Sequence, residues 1–169
     1  MRPVSLLALA LLAPALAQPP AAGLGAGVLA GHVGSGEHRL APALNAWARF
    51  PLGGACYLEP AALLARRAEP SAAATFQERW SRAELGLGCA TGTRAVQVAG
   101  ALGPALTWRH TNLDTGQDWQ ADVLAPGLRW RGGFLIPLGS RIELDLLAGG
   151  ATAGRVVDFD LLLHGGVRW

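Results

Sequence analysis

The sequence predicts an all-β protein, a closed antiparallel up-and-down transmembrane β-barrel of eight strands. Three observations predict it: apolar and polar residues alternate with period two, such segments come in an even number, and their connections alternate in length. Of 169 residues, 51% are hydrophobic and 15% charged, against about 25% charged in an average soluble domain. The fourteen basic residues are all arginine, and the net charge of +2 is too small to choose a partner by field alone. No basic run or aromatic-interleaved patch points to nucleic acid.

Residues 1–17 read as a signal peptide. Arg2 supplies the positive start, Val4 to Leu12 the short apolar segment, and Ala15-Leu16-Ala17 the small-x-small cleavage pattern. The apolar run falls short of the roughly 20 residues a spanning helix needs, and Pro14 interrupts it. The expected mature domain is residues 18–169. No later stretch reaches 18 residues without a charge or a turn signal, so membrane insertion would have to use strands. Lipid leaves no solvent for free backbone groups, so those strands must close into a barrel.

The segments follow in chain order. Ala21 to Val33 is a Gly/Ala-rich strand, and Asn45 to Leu52 a second with weak polar signal. From Ala55 to Arg67, Cys56, Leu58, Ala62 and Leu64 share one face, with Tyr57, Glu59 and Arg67 on the other. The Ala-Leu-Arg content of that segment also suits a helix. Next, Ala83, Leu85, Leu87 and Cys89 oppose Arg82, Glu84, Gly86 and Gly88. Val96, Val98, Leu102, Leu106 and Trp108 then alternate with Gln97, Thr107 and Arg109. Leu124, Leu128, Trp130, Phe134 and Ile136 alternate with Arg129 and Arg131. Ile142, Leu144, Leu146 and Ala148 face away from Arg141, Glu143 and Asp145. The last strand is the clearest: Val157, Phe159, Leu161, Leu163, Gly165, Val167 and Trp169 against Asp158, Asp160, His164 and Arg168.

The expected connections are long at 34–44, 68–79 and 110–120 and short at 53–55, 91–94, 137–140 and 152–156. That asymmetry belongs to membrane barrels. Pro60, Pro104 and Pro126 fall inside proposed strands, where a missing donor calls for a bulge. If the strands flanking 68–79 pair antiparallel, Cys56 lies opposite Cys89, and export into an oxidising space permits a disulfide. The alternative is two free thiols.

Alternation alone leaves open which face looks outward; a soluble lipocalin-like barrel binding a small apolar ligand would show the same pattern. The final strand distinguishes them. Leu161, Leu163, Val167 and the terminal aromatic Trp169 at two-residue spacing resemble the C-terminal strand of outer-membrane barrels, specifically the small eight-stranded OmpA/OmpX-like family. The resemblance implies an outer-membrane location, a surrounding shell of membrane lipid, and recognition of that strand by the barrel-assembly machinery. It also implies a lumen holding Arg67, Arg82, Arg109, Arg129, Arg131, Arg141 and Arg168 with Glu59, Glu84, Glu143, Asp145, Asp158, Asp160 and a hydrogen-bonded His164. Guanidinium pairs bidentately with carboxylate, so such a lumen is plugged rather than conducting.

Catalysis has little to stand on. The four histidines lack metal-ligand spacing, and no nucleophile-elbow, C-x-x-C or phosphate-cradling motif implies a cofactor. Some outer-membrane barrels modify lipids with a His, a Ser and an acid. Here His164 has Asp158 and Asp160 nearby, but no serine is placed beside it. The expectation is a non-enzymatic barrel, structural or acting through loop contacts with a partner the loops do not reveal.

Overall fold

The computed structural model describes residues 19–33, 37–70, 75–114, 118–154 and 156–169. Residues 1–17, expected to be a signal peptide, lie outside them. Eight strands follow one another: β1 (Ala21–Val33), β2 (Glu37–Gly53), β3 (Cys56–Pro70), β4 (Thr75–Gly92), β5 (Gln97–Asp114), β6 (Asp118–Pro137), β7 (Ile142–Ala153) and β8 (Val156–Arg168). Each pairs antiparallel with its neighbours in sequence, and β1 pairs with β8, giving a closed up-and-down barrel. Trp169 N–H donates to Pro20 C=O at 3.1 Å, extending that last seam. The helix-prone stretch of β3 is strand throughout, because ladder pairing on both sides overrides a weak local propensity.

The wall is inverted relative to a soluble protein. Leu24, Leu44, Leu64, Leu87, Leu102, Leu128 and Leu163 point outward and are more than half exposed, while Arg49, Glu78, Arg129 and Asp145 are almost fully buried inside. This distribution removes the soluble-barrel alternative, which needs the apolar face within. Small apolar clusters cap the charged interior. Leu29, Leu63, Trp80 and Leu162 are among those toward the loop end, and Tyr57, Ala99, Leu135 and Leu147 among those toward the turn end.

Two expectations are corrected. The long connections are mostly strand: β1 and β2 are separated by residues 34–36, β3 and β4 by 71–74, and β5 and β6 by 115–117. Outward positions there are polar (Gln77, Asn112, Gln120), so alternation disappears although the ladder continues. The three prolines need no bulge. The β2–β3 ladder passes from Trp47–Ala61 to Phe50–Leu58 in unchanged register around Pro60. The β4–β5 ladder does the same from Glu84–Ala105 to Leu87–Leu102 beside Pro104. Pro126 precedes the first β6–β7 pair, Arg129–Ala151. Each missing donor thus falls where one flanking ladder lacks a rung. The β2–β3 register shifts only between Pro51 and Gly53, at the turn.

The two ends of the barrel differ. At the turn end β2–β3, β4–β5 and β6–β7 are joined by tight turns. At the loop end the β2–β3 ladder stops at Ala43–Ala65 and the β6–β7 ladder at Arg129–Ala151. Beyond those levels β3 to β6 continue as one four-stranded sheet to Pro70–Thr75 and Asp114–Asp118.

Candidate functional site: the charged lumen

Residues of one parity from every strand converge on the axis, so the polar face of each alternating segment ends up inside. Arg49 on β2 reaches Glu143 (2.8 Å), Asp145 (3.3 Å) and Glu59 (3.4 Å). Arg129 on β6 joins Glu59 (2.6 Å) to Glu84 (2.9 Å). Arg82 on β4 contacts Glu84, Asp158 and Asp160, each at 2.5 Å. Arg131 lies 3.1 Å from Glu84, 3.6 Å from Asp160 and 3.8 Å from Glu59, and Arg168 3.5 Å from Glu143. The chain of contacts leaves β8 at Arg168, crosses β7, β2, β3, β6 and β4, and returns to β8 at Asp158 and Asp160. Removing water from so many charges is tolerable only because each is paired.

Space for these groups comes from small inward neighbours. A Cβ on Gly86 would stand 2.8 Å from the Arg129 guanidinium, and one on Gly166 would stand 2.6 Å from the Trp47 ring. The Arg49 guanidinium also lies over the rings of Trp47 (4.9 Å) and Tyr57 (4.8 Å), adding cation–π attraction.

Of the expected lumen residues, Arg82, Glu84, Arg129, Arg131, Glu143, Asp145, Asp158, Asp160 and Arg168 come together with Glu59. Arg67 is buried but pairs with Glu69, and Arg109 pairs with Glu78 nearer the loop end. Arg141 is a correction: it is exposed, because the ladder begins one residue later at Ile142 and its side chain lies beyond the last rung. His164 is the other. It faces inward, but neither ring nitrogen hydrogen-bonds a described residue. The neighbouring carboxylates are turned toward arginines, and the imidazole stacks on Trp47 instead, centroids 5.5 Å apart at 16°. Ser81 sits on the opposite wall face from His164, so no nucleophile–base pair forms there. Ser35 and Ser71 lie outside the described residues.

Arg49 and Glu78 were not singled out from sequence. Arg49 shares parity with Asn45, whose two-step spacing was the available signal. Glu78 continues the Arg82–Glu84 face, but Trp80 interrupts its polarity. Cys56 and Cys89 are directly paired across β3 and β4 and joined by a disulfide on the outer face. Leu161, Leu163, Val167 and Trp169 all point outward from β8 and its end.

A closed eight-stranded wall with apolar residues outside and a paired-charge interior defines a small membrane β-barrel. Solved structures share that fold. The attachment invasion locus protein Ail of Yersinia pestis superimposes with a TM-score of 0.68 at 14% identity, covering 90% of this chain and 99% of that one. Neisserial surface protein A gives 0.68 at 14% identity, over 91% and 99%. The N-terminal β-barrel domain of Pseudomonas aeruginosa OprF gives 0.59 at 9% identity, over 91% and 100%. Ail has also been solved in a phospholipid bilayer nanodisc. At these identities the likeness is one of fold. No family model matches the sequence, and no curated protein matches it either.

Proposed function

We propose that residues 18–169 form a non-enzymatic integral outer-membrane protein, exported by the leader at 1–17 and plugged by its charge network. It serves as an envelope scaffold that presents a contact surface outside the cell. The observation that carries this reading is the inverted wall: an apolar exterior is stable against lipid and costly against water. The surrounding partner is then membrane lipid. The spacing of Leu161, Leu163, Val167 and Trp169 supports recognition by the barrel-assembly machinery during insertion. An interior of interlocked guanidinium and carboxylate groups favours a scaffold over a pore.

The surface for a partner is the sheet of β3 to β6 that rises past the closed wall. Its β6 margin has no ladder pair with β7 over residues 118–126, and an open strand edge is a template for another chain. Ail, which shares the fold, is named for attachment and invasion, and this supports a contact role here.

The test is fractionation of cells expressing the full chain, followed by SDS gels of the detergent extract with and without boiling. Recovery in the outer membrane with heat-dependent mobility is expected; recovery as a soluble periplasmic protein without it overturns the reading. Replacing residues 112–120 by a two-residue turn should preserve the mobility shift and abolish surface attachment.

A further inference from the structure

The outward face of the described strands carries no charged residue until one row near the loop end. That row runs Arg66–Arg79–His110–Asp122, each residue directly opposite the next across β3, β4, β5 and β6. Below it lies Leu64–Ser81–Trp108–Leu124, already apolar in the main. From Cys56 to Leu64, β3 covers about 26 Å of strand, or roughly 20 Å of height at ~40° tilt. The row therefore stands at the boundary of the apolar belt, where lipid headgroups would be.

Half of this row is self-contained. His110 Nδ1 lies 2.8 Å from Asp122 Oδ1, which also accepts from Trp108 Nε1 at 3.2 Å. The other half is not. Arg66 and Arg79 are like charges at directly opposed positions, an arrangement that destabilises a sheet unless something lies between them. Among the described residues neither has a carboxylate partner; Arg66 reaches only Gln77 Oε1, at 3.5 Å. Beneath them an open groove of about 610 Å³ runs across β1 to β4, with Ala26, Leu44, Leu64 and Ser81 among its lining. Its depth follows from the β2–β3 ladder ending at Ala43–Ala65, where the wall parts.

We propose that Arg66 and Arg79 clamp the phosphate of one anionic membrane lipid whose acyl chain lies in this groove. Two guanidinium forks match the oxygens of a phosphate, and the trough of small and leucine side chains matches a hydrocarbon tail. The proposal rests on the membrane reading above, since it takes its ligand from the surrounding leaflet.

The experiment is native mass spectrometry of the folded, delipidated full-length protein in phosphatidylcholine-doped detergent, titrated with phosphatidylglycerol. The wild type should prefer phosphatidylglycerol over phosphatidylcholine by roughly 30-fold, the combined pull of two arginines near a surface. R66Q/R79Q should lose that preference, and Ser81→Trp, which fills the groove, should weaken binding with both arginines present. R94Q/R141Q, which removes exposed arginines at the turn end, should leave it intact. Equal preference in wild type and R66Q/R79Q overturns the proposal. So does saturation of the site by inorganic phosphate or a sulfated sugar alone, which would show that no acyl chain is required. Heat-dependent gel mobility is recorded on every preparation: a shift without lipid preference sinks the lipid site alone, and its absence sinks the membrane reading first.

Discussion

The inner and outer walls of this barrel are built from alternate residues of the same strands, yet they obey different rules. On the inner wall the charged groups of the network have named partners: Glu84 alone touches Arg82, Arg129 and Arg131 together. On the outer wall Leu85, one residue away, has only to be apolar, because lipid accepts any hydrocarbon shape. One wall stores pairwise information and the other stores a single property. Tolerance to substitution should divide along the same line.

The sharpest break is Glu84→Ala, which leaves three buried guanidinium groups short of charge. The expected loss is about 3–5 kcal/mol, read as a lowered urea midpoint of detergent-folded protein. A midpoint equal to wild type would mean the inner pairs contribute nothing. Next comes the covalent tie on the outer face. Cys56→Ser with Cys89→Ser releases a loop of 33 positions, for which chain entropy gives about 3–4 kcal/mol; reducing the wild type should reproduce that effect. Leu85→Arg puts a charge at mid-belt and should cost about 2–4 kcal/mol in lipid vesicles, while Leu85→Ile should shift stability by less than ~0.5 kcal/mol. The smallest effect belongs to Arg141→Ala. This exposed turn residue should change stability by less than ~0.5 kcal/mol, and a larger loss would return it to the lumen network.

The same contrast explains what could be read from the sequence. Where one face meets lipid and the other meets charge, as from Val157 to Trp169, alternation is strong and both strand and orientation are legible. The opposition of Cys56 and Cys89 also followed from counting positions across one hairpin. Above the belt the outward face turns polar, as at Gln77 and Asn112, and period two vanishes although hydrogen bonding continues. Those extensions therefore read as loops. Arg141 has the parity of the inner wall but lies past the final rung, a boundary that parity cannot locate. Two partners of Arg49 could not be read at all, since Glu143 and Asp145 are more than ninety positions away and meet it only through the curvature of the closed wall.

The seam between β1 and β8 joins positions more than 120 residues apart. A strand formed early in synthesis must wait, with one margin unsatisfied, for the strand made last. Along β1 the glycines at 23 and 27 face backbone carbonyls of β8 so closely that a Cβ would collide with them, so this final junction closes backbone against backbone with little side-chain guidance. High contact order of this kind slows folding and prolongs the exposure of sticky edges. Assembly of this molecule is thus governed by its slowest zipper, and a variant bulkier at Gly23 or Gly27 would accumulate as an open ribbon long before its finished stability became the limiting quantity.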